Sequence, residues 1–224
     1  MKEWEKKRIR EISFKTIVVS ALFLLSIFLF AFLAHEIVFQ KQDLFDTKFF
    51  SFLKPHSTDG FIKLMEVSTF FGSSYFLLPA YIILVLWLWR KRKRNDAINI
   101  GVLGISSFAV KAILKQLFQR ERPDLQLAEQ LTNFSFPSGH ALSSFVFCSV
   151  LIYLIWKGNL HLGWKWFLSV LSILFAFLIG ISRIVLRYHY ASDVLAGFCV
   201  GFVWVILSFW VENKITKKFR SQST

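Results

Sequence analysis

The stretch WKWFLSVLSILFAFLIGI, Trp164–Ile181, carries one charge, Lys165, near its edge and is otherwise almost unbroken apolar sequence. A soluble helix would place polar residues at helical spacing to leave a solvated face. A strand crossing a bilayer would need only ~9–11 residues of alternating polarity, and no alternation appears here. A helix of this length nearly matches a ~30 Å hydrocarbon core. In lipid it also satisfies its own backbone groups. Five further runs read the same way: Ile17–Ala34, Phe70–Trp89, Ala97–Phe118, Ala141–Trp156 and Val194–Val211. The sequence therefore predicts an all-α, polytopic membrane protein. Residues 1–224 form one domain, a bundle of six transmembrane helices.

Composition agrees with this reading. Hydrophobic residues make up 55% of the chain and charged residues 18%, against ~45–50% and ~25% in soluble domains. A disordered chain is excluded, because such chains lack apolar content. The first run follows MKEWEKKRIR, but it is too long for a signal-peptide core and no small-residue cleavage site follows it. It reads as a retained span.

Net charge is +13, which on a soluble protein would suggest nucleic acid. Here the basic residues sort by side. Lys2, Lys6, Lys7, Arg8, Arg10 and Lys15 precede the first span, and Arg90, Lys91, Arg92, Lys93 and Arg94 link the second and third. Lys157 and Lys165 link the fourth and fifth, and Lys214, Lys217, Lys218 and Arg220 follow the sixth. That places seventeen of the 27 lysines and arginines on one side. The positive-inside rule makes that side cytoplasmic. A multi-pass cell-membrane protein is expected, with a cytoplasmic basic N-terminus (residues 1–16) and tail (residues 212–224). The bilayer is the expected partner; neither nucleic acid nor an obligate protein partner is indicated. The opposite face carries the links 35–69, with a possible interfacial helix near Gly60–Phe71, and 119–140. Cys148 and Cys199 lie inside apolar runs, outside any CxxC or Cys/His pattern, so no zinc or disulfide framework is indicated.

Ionisable residues at membrane depth are costly and mark function by default. Three clusters gather at the extracytoplasmic ends of the third, fourth and sixth spans. In KQLFQRERP, Lys115 and Arg122 are two turns apart, and Lys111 lies one turn below Lys115. On one helix continuing almost to Pro123 they share a face. They suit a phosphate, or they snorkel to the interface. In FPSGH, Phe136–His140, a helix start offers either a plain cap or an anion site made by its N–H groups. In SRIVLRYHYASD, Ser182–Asp193, His189 and Asp193 stand four apart. This pair reads as a nucleophile with its orienting carboxylate, as a helix cap, or as half of a metal site. The surrounding cations argue against a divalent metal, because they repel it.

Together the clusters read K-x6-RP, PSGH and SR-x5-H-x3-D. This resembles the signature of the type 2 phosphatidic acid phosphatase (lipid phosphate phosphatase) family, most closely its small bacterial integral-membrane members. Every fixed position is matched: Lys115, Arg122, Pro123, Pro137, Ser138, Gly139, His140, Ser182, Arg183, His189 and Asp193. The resemblance implies a membrane-embedded hydrolase for a lipid phosphomonoester or pyrophosphate. Candidate substrates are phosphatidylglycerophosphate, phosphatidic acid and undecaprenyl pyrophosphate. It implies that His189 forms a phosphohistidine, Asp193 orients it and His140 protonates the leaving alkoxide. Lys115, Arg122, Ser138, Gly139 and Arg183 would hold the phosphoryl oxygens. No metal or other cofactor is implied. The alternative class is a transporter or channel for phosphate-bearing anions, which also places cations in a polar pathway. The signature is shared by vanadium-dependent haloperoxidases, but those are soluble.

Overall fold

The computed structural model describes residues 3–39, 44–53, 55, 57–124, 126–128 and 130–222. Lys2 lies outside these residues, as do the side chains of Lys6, Lys7, Arg8, Arg10, Lys217, Lys218 and Arg220 and part of the 35–69 link. Among the described residues the ordered elements are helical. They are α1 (Glu3–Leu33), running into a π-helical turn (Ala34–Phe39), α2 (Leu44–Leu53), α3 (Asp59–Phe70), α4 (Ser74–Arg90), α5 (Arg94–Phe118), α6 (Gly139–Lys157), α7 (Leu162–Val185) and α8 (Ala191–Gln222).

Five segments are long and apolar enough to cross a membrane: Phe14–Glu36, Arg94–Phe118, Gly139–Lys157, Leu162–Val185 and Ala191–Glu212. The sixth expected span, Phe70–Trp89, is not one straight helix. α4 has 17 residues and rises only ~25 Å. Together with α3, to which it is bent by 41°, it is long and apolar enough for a sixth crossing. The break falls at Phe71–Ser73, where the Ser73 hydroxyl caps α4 by accepting from the Phe76 N–H at 3.3 Å. Gly72 is required there: a Cβ would lie 2.5 Å from Ile179 Cγ2 and 2.9 Å from His140 Cδ2. The stretch expected to form a short helix, Gly60–Phe71, is helical: α3 covers Asp59–Phe70.

α6 lies at the centre, packed on α7 and α8; α1 lies against α8, α4 against α5, and α3 against α7. The main core joins Leu77 and Leu88 of α4, Ile100 and Leu103 of α5, Leu142, Val146 and Val150 of α6 and Val205 of α8. Outward positions carry large apolar side chains such as Leu24, Phe28, Trp166, Phe167 and Leu174. Buried positions include Ser107, Ser143, Ser144, Ser169 and Ser182. Lipid tails are as apolar as leucine, so close packing at such small residues holds helices together. Ser107, Ser144 and Ser182 bond back to their own helices, and Ser169 accepts across from Trp156 of α6 at 3.0 Å. At the site end, Phe30, Phe118 and Phe136 meet with centroids 5.1–5.8 Å apart. This cluster ties α1, the end of α5 and the loop before α6 into one unit.

Candidate active site

The three motifs converge on one cavity of about 390 Å³, lined among others by Lys111, Lys115, Arg122, Gly139, His140, Arg183 and His189. Its volume suits a ligand headgroup. Lys115 comes from the last turn of α5. Arg122 does not share that helix, contrary to the reading of one face continuing almost to Pro123. α5 stops at Phe118, and Gln119 turns left-handed at φ 46°. Arg122 therefore reaches the cavity from a non-helical segment.

Both cations are held mainly by neutral oxygens. Lys115 Nζ donates to the Phe134 carbonyl at 2.7 Å. Arg122 donates from Nε to the Asn133 carbonyl at 2.7 Å, from Nη2 to Asn133 Oδ1 at 2.5 Å, and from Nη1 to the Tyr188 carbonyl. Arg183, in the last turn of α7, donates to Thr69 Oγ1 at 2.6 Å and stacks 4.2 Å from the Tyr188 ring centroid. Carbonyls and hydroxyls accept hydrogen bonds without cancelling the charge, so the cavity keeps a positive field for an anion. Burial lowers the Arg122 pKa to about 10, against the opposing pull of Asp193; the group stays charged at neutral pH.

Gly139 begins α6 and Ser138 caps it, its Oγ accepting from the Ala141 N–H at 3.5 Å. A Cβ on Gly139 would lie 2.6 Å from Lys111 Cδ, so its absence leaves room for that lysine beside the helix start. Ser138 sits behind the cavity wall: it is fully buried, and its N–H donates to the Asp193 carbonyl at 2.9 Å. The first-turn N–H groups and the helix dipole add positive potential at the cavity floor.

His189 lies in the turn before α8, off the helix that carries Asp193. They still meet. Nδ1 is 3.5 Å from Asp193 Oδ2, and Ser135 Oγ stands between them, 3.2 Å from Nδ1 and donating to Oδ2 at 2.5 Å. The Tyr190 N–H also donates to Oδ2, at 2.9 Å, so one carboxylate oxygen meets the start of α8, Ser135 and the histidine side. Nε2 faces the cavity side, 3.4 Å from Arg122 Nη1. Burial, then Arg122, Arg183 and Lys115, hold the His189 pKa well below the usual imidazole value. Its lone pair is therefore available at neutral pH.

Sequence reasoning missed Asn133 and Ser135, the Gly72–Ser74 wall, and Arg120 with Asp46. Arg120 donates to Asp193 Oδ1 at 2.7 Å and to Asp46 Oδ2 at 2.9 Å. Burial opposes its charge, but the two carboxylates outweigh that and raise its pKa. One signal was available for Asp46: an acidic residue inside the aromatic run LFDTKFFSFL. Among the described residues no group of three or more His, Cys, Asp or Glu side chains is arranged to hold a metal ion.

The profile of the PAP2 superfamily matches residues 96–217. Phosphatidylglycerophosphatase B of Bacillus subtilis is 31% identical over 164 residues, 71% of this chain and 79% of that protein. An undecaprenyl-diphosphatase of Sulfolobus acidocaldarius is 25% identical over 201 residues, 85% of this chain and 90% of that one. The crystal structure of a transmembrane PAP2-type phosphatidylglycerolphosphate phosphatase from Bacillus subtilis superposes with a TM-score of 0.72. It is 28% identical, over 88% of this chain and 96% of that one.

Proposed function

The chain belongs to the PAP2 superfamily, and from that premise we propose that it is a membrane lipid phosphatase working through a phosphohistidine on His189. The observation that carries the reading is the single cavity shared by two histidines and four cations. His189 Nε2 attacks phosphorus as the bond to the lipid oxygen breaks. His140 gives its proton to the departing alkoxide, a step worth ~10²–10⁴-fold. Water then attacks the phosphohistidine and passes a proton to His140; the phosphorus–nitrogen bond breaks and phosphate leaves. Lys115, Arg122 and Arg183, with Gly139 at the start of α6, stabilise the equatorial oxygens throughout, while Ser138, behind the wall, caps that helix. Asp193 keeps the His189 Nδ1 proton in place. The cations do the work a metal would do, so activity is independent of divalent ions.

The chain is a single six-span unit in the membrane. The basic links support a topology with both termini in the cytoplasm and the cavity at the extracytoplasmic interface. A phosphate headgroup sits at that depth while its chains stay in lipid. The substrate is a lipid phosphomonoester or pyrophosphate. The test is a side-by-side assay of purified protein with phosphatidylglycerophosphate, phosphatidic acid and undecaprenyl pyrophosphate, with and without a strong chelator, plus acid-quench trapping of labelled phosphate. Phosphate release with label on His189 is expected. Anion flux across vesicles without hydrolysis, or a complete loss on chelation that metal reverses, overturns the reading.

A further inference from the structure

Behind the His189–Asp193 pair lies a second buried carboxylate that the chemistry above does not use. Asp46, on α2, is 1% exposed. Its Oδ1 accepts from the Ser192 N–H at 2.9 Å, and its Oδ2 accepts from Ser192 Oγ at 2.7 Å and from Arg120 Nη2 at 2.9 Å. Arg120 donates its other nitrogen, Nη1, to Asp193 Oδ1 at 2.7 Å and to Ser192 Oγ at 2.8 Å. The guanidinium lies 3.9 Å over the Tyr190 ring. One cation thus bridges two carboxylates from segments remote in sequence.

A guanidinium beside a single carboxylate favours a bidentate grip on both oxygens. Here Asp46 occupies Nη2, so Arg120 grips Asp193 through Oδ1. Oδ2 is left to Ser135, the Tyr190 N–H and the His189 side. The cluster also holds two negative charges against one positive, which favours the positive charge that develops on His189 as it attacks.

We propose that Asp46 and Arg120 are positioning residues for the reaction: Asp46 on α2 restrains Arg120, and Arg120 fixes Asp193 so that Oδ2 stays turned toward His189 Nδ1. The inference rests on the roles proposed for Asp193 and His189. It makes α2, from the long extracytoplasmic link, part of the catalytic support. An ordinary buried ion network tethering α2 would instead change stability alone.

The two are separated with Asp46→Asn, assayed on labelled phosphatidic acid in detergent micelles. The readouts are kcat, KM, phosphoenzyme formation after acid quench, melting temperature and the acidic limb of kcat/KM. The groups facing His189 are Lys115 from α5, Arg122 from the 119–138 segment, His140 from α6, Arg183 from α7 and Asp193 from α8. Removing a carboxylate behind them disfavours the imidazolium, so the limb should move to lower pH. A misplacement of ~1 Å costs on the order of 10²-fold in rate; kcat should fall roughly 10–100-fold with KM within about twofold, and Asp46→Glu should restore most of it. Wild-type kcat, or a loss that tracks unfolding with an unmoved limb, overturns the inference. If Asp46→Asn does not fold, Ser192→Ala removes one hydroxyl contact to each partner; a severalfold fall in kcat supports the inference and an unchanged kcat overturns it. A wild-type protein that traps no phosphate on His189 overturns the parent reading. Trapping at equal rates in wild type and Asp46→Asn overturns only the inference.

Discussion

Two lysines at helix C-termini behave differently at opposite ends of the bundle. Lys115, ending α5, donates to the Phe134 carbonyl at 2.7 Å. Lys157, ending α6, donates to Asp96 Oδ1 at 2.6 Å, in the first turn of α5. Nineteen residues of helix separate Asp96 from Lys115, ~28 Å along the axis. The bonds have similar lengths and opposite electrostatic outcomes. A carbonyl satisfies the ammonium without neutralising it, whereas a carboxylate cancels it. Arg122 follows the Lys115 pattern on the carbonyls of Asn133 and Tyr188. The site end thus retains positive charge at Arg122, and the other end uses its charge to join α5 to α6. A basic residue near a helix end is informative only through what receives its hydrogen bonds.

The largest effect expected from breaking this contrast comes at His189, the nucleophile of the proposed mechanism. His189→Ala should lower turnover by on the order of 10⁴-fold or more, as loss of a catalytic nucleophile does, and His140→Ala by ~10²–10⁴-fold. Phosphate release from micellar substrate measures both, and melting temperatures should show folded protein. Near-normal turnover in either variant would end the mechanism. Arg122→Gln should raise KM and lower kcat/KM by about 10²-fold, since it removes a charge aimed at the phosphoryl group. It also tests the field directly. Burial and the nearby cations depress the His189 pKa, so the neutral nucleophile persists as pH falls through 6.5 and the acidic limb lies below it. Removing Arg122 relieves part of that depression, and the limb should move to higher pH. This is opposite in direction to Asp46→Asn; with one substrate, its own titration is common to all variants. An unmoved limb would mean the cations do not set His189. The smallest effect is expected at the far end. Lys157→Met leaves Asp96, 6% exposed, with the Tyr153 hydroxyl but no cation, which should cost about 1–3 kcal/mol of stability. Turnover should stay within about twofold; a larger fall would couple the two ends.

Much of this protein was legible along the chain. Apolar runs mark the spans because each side chain facing lipid reports its own transfer preference, independent of its neighbours. The motif residues were visible because charge at membrane depth is rare. Their routes into the site were not. The expected continuous α5 ended at Phe118, so Arg122 arrives by a loop, and the α3–α4 break puts Gly72 against His140. Ser135 carries no charge to flag it, and Asp46 and Arg120 meet across 74 residues.

Residue chemistry and hydropathy alone therefore determined an all-helical, multi-pass membrane protein and the motif groups available to its site. Folding in three dimensions decided which cations keep their charge, which oxygen of Asp193 faces His189, and that α2 stands behind them. Those outcomes depend on pairings between distant segments, and no local pattern encodes the geometry of such a pairing.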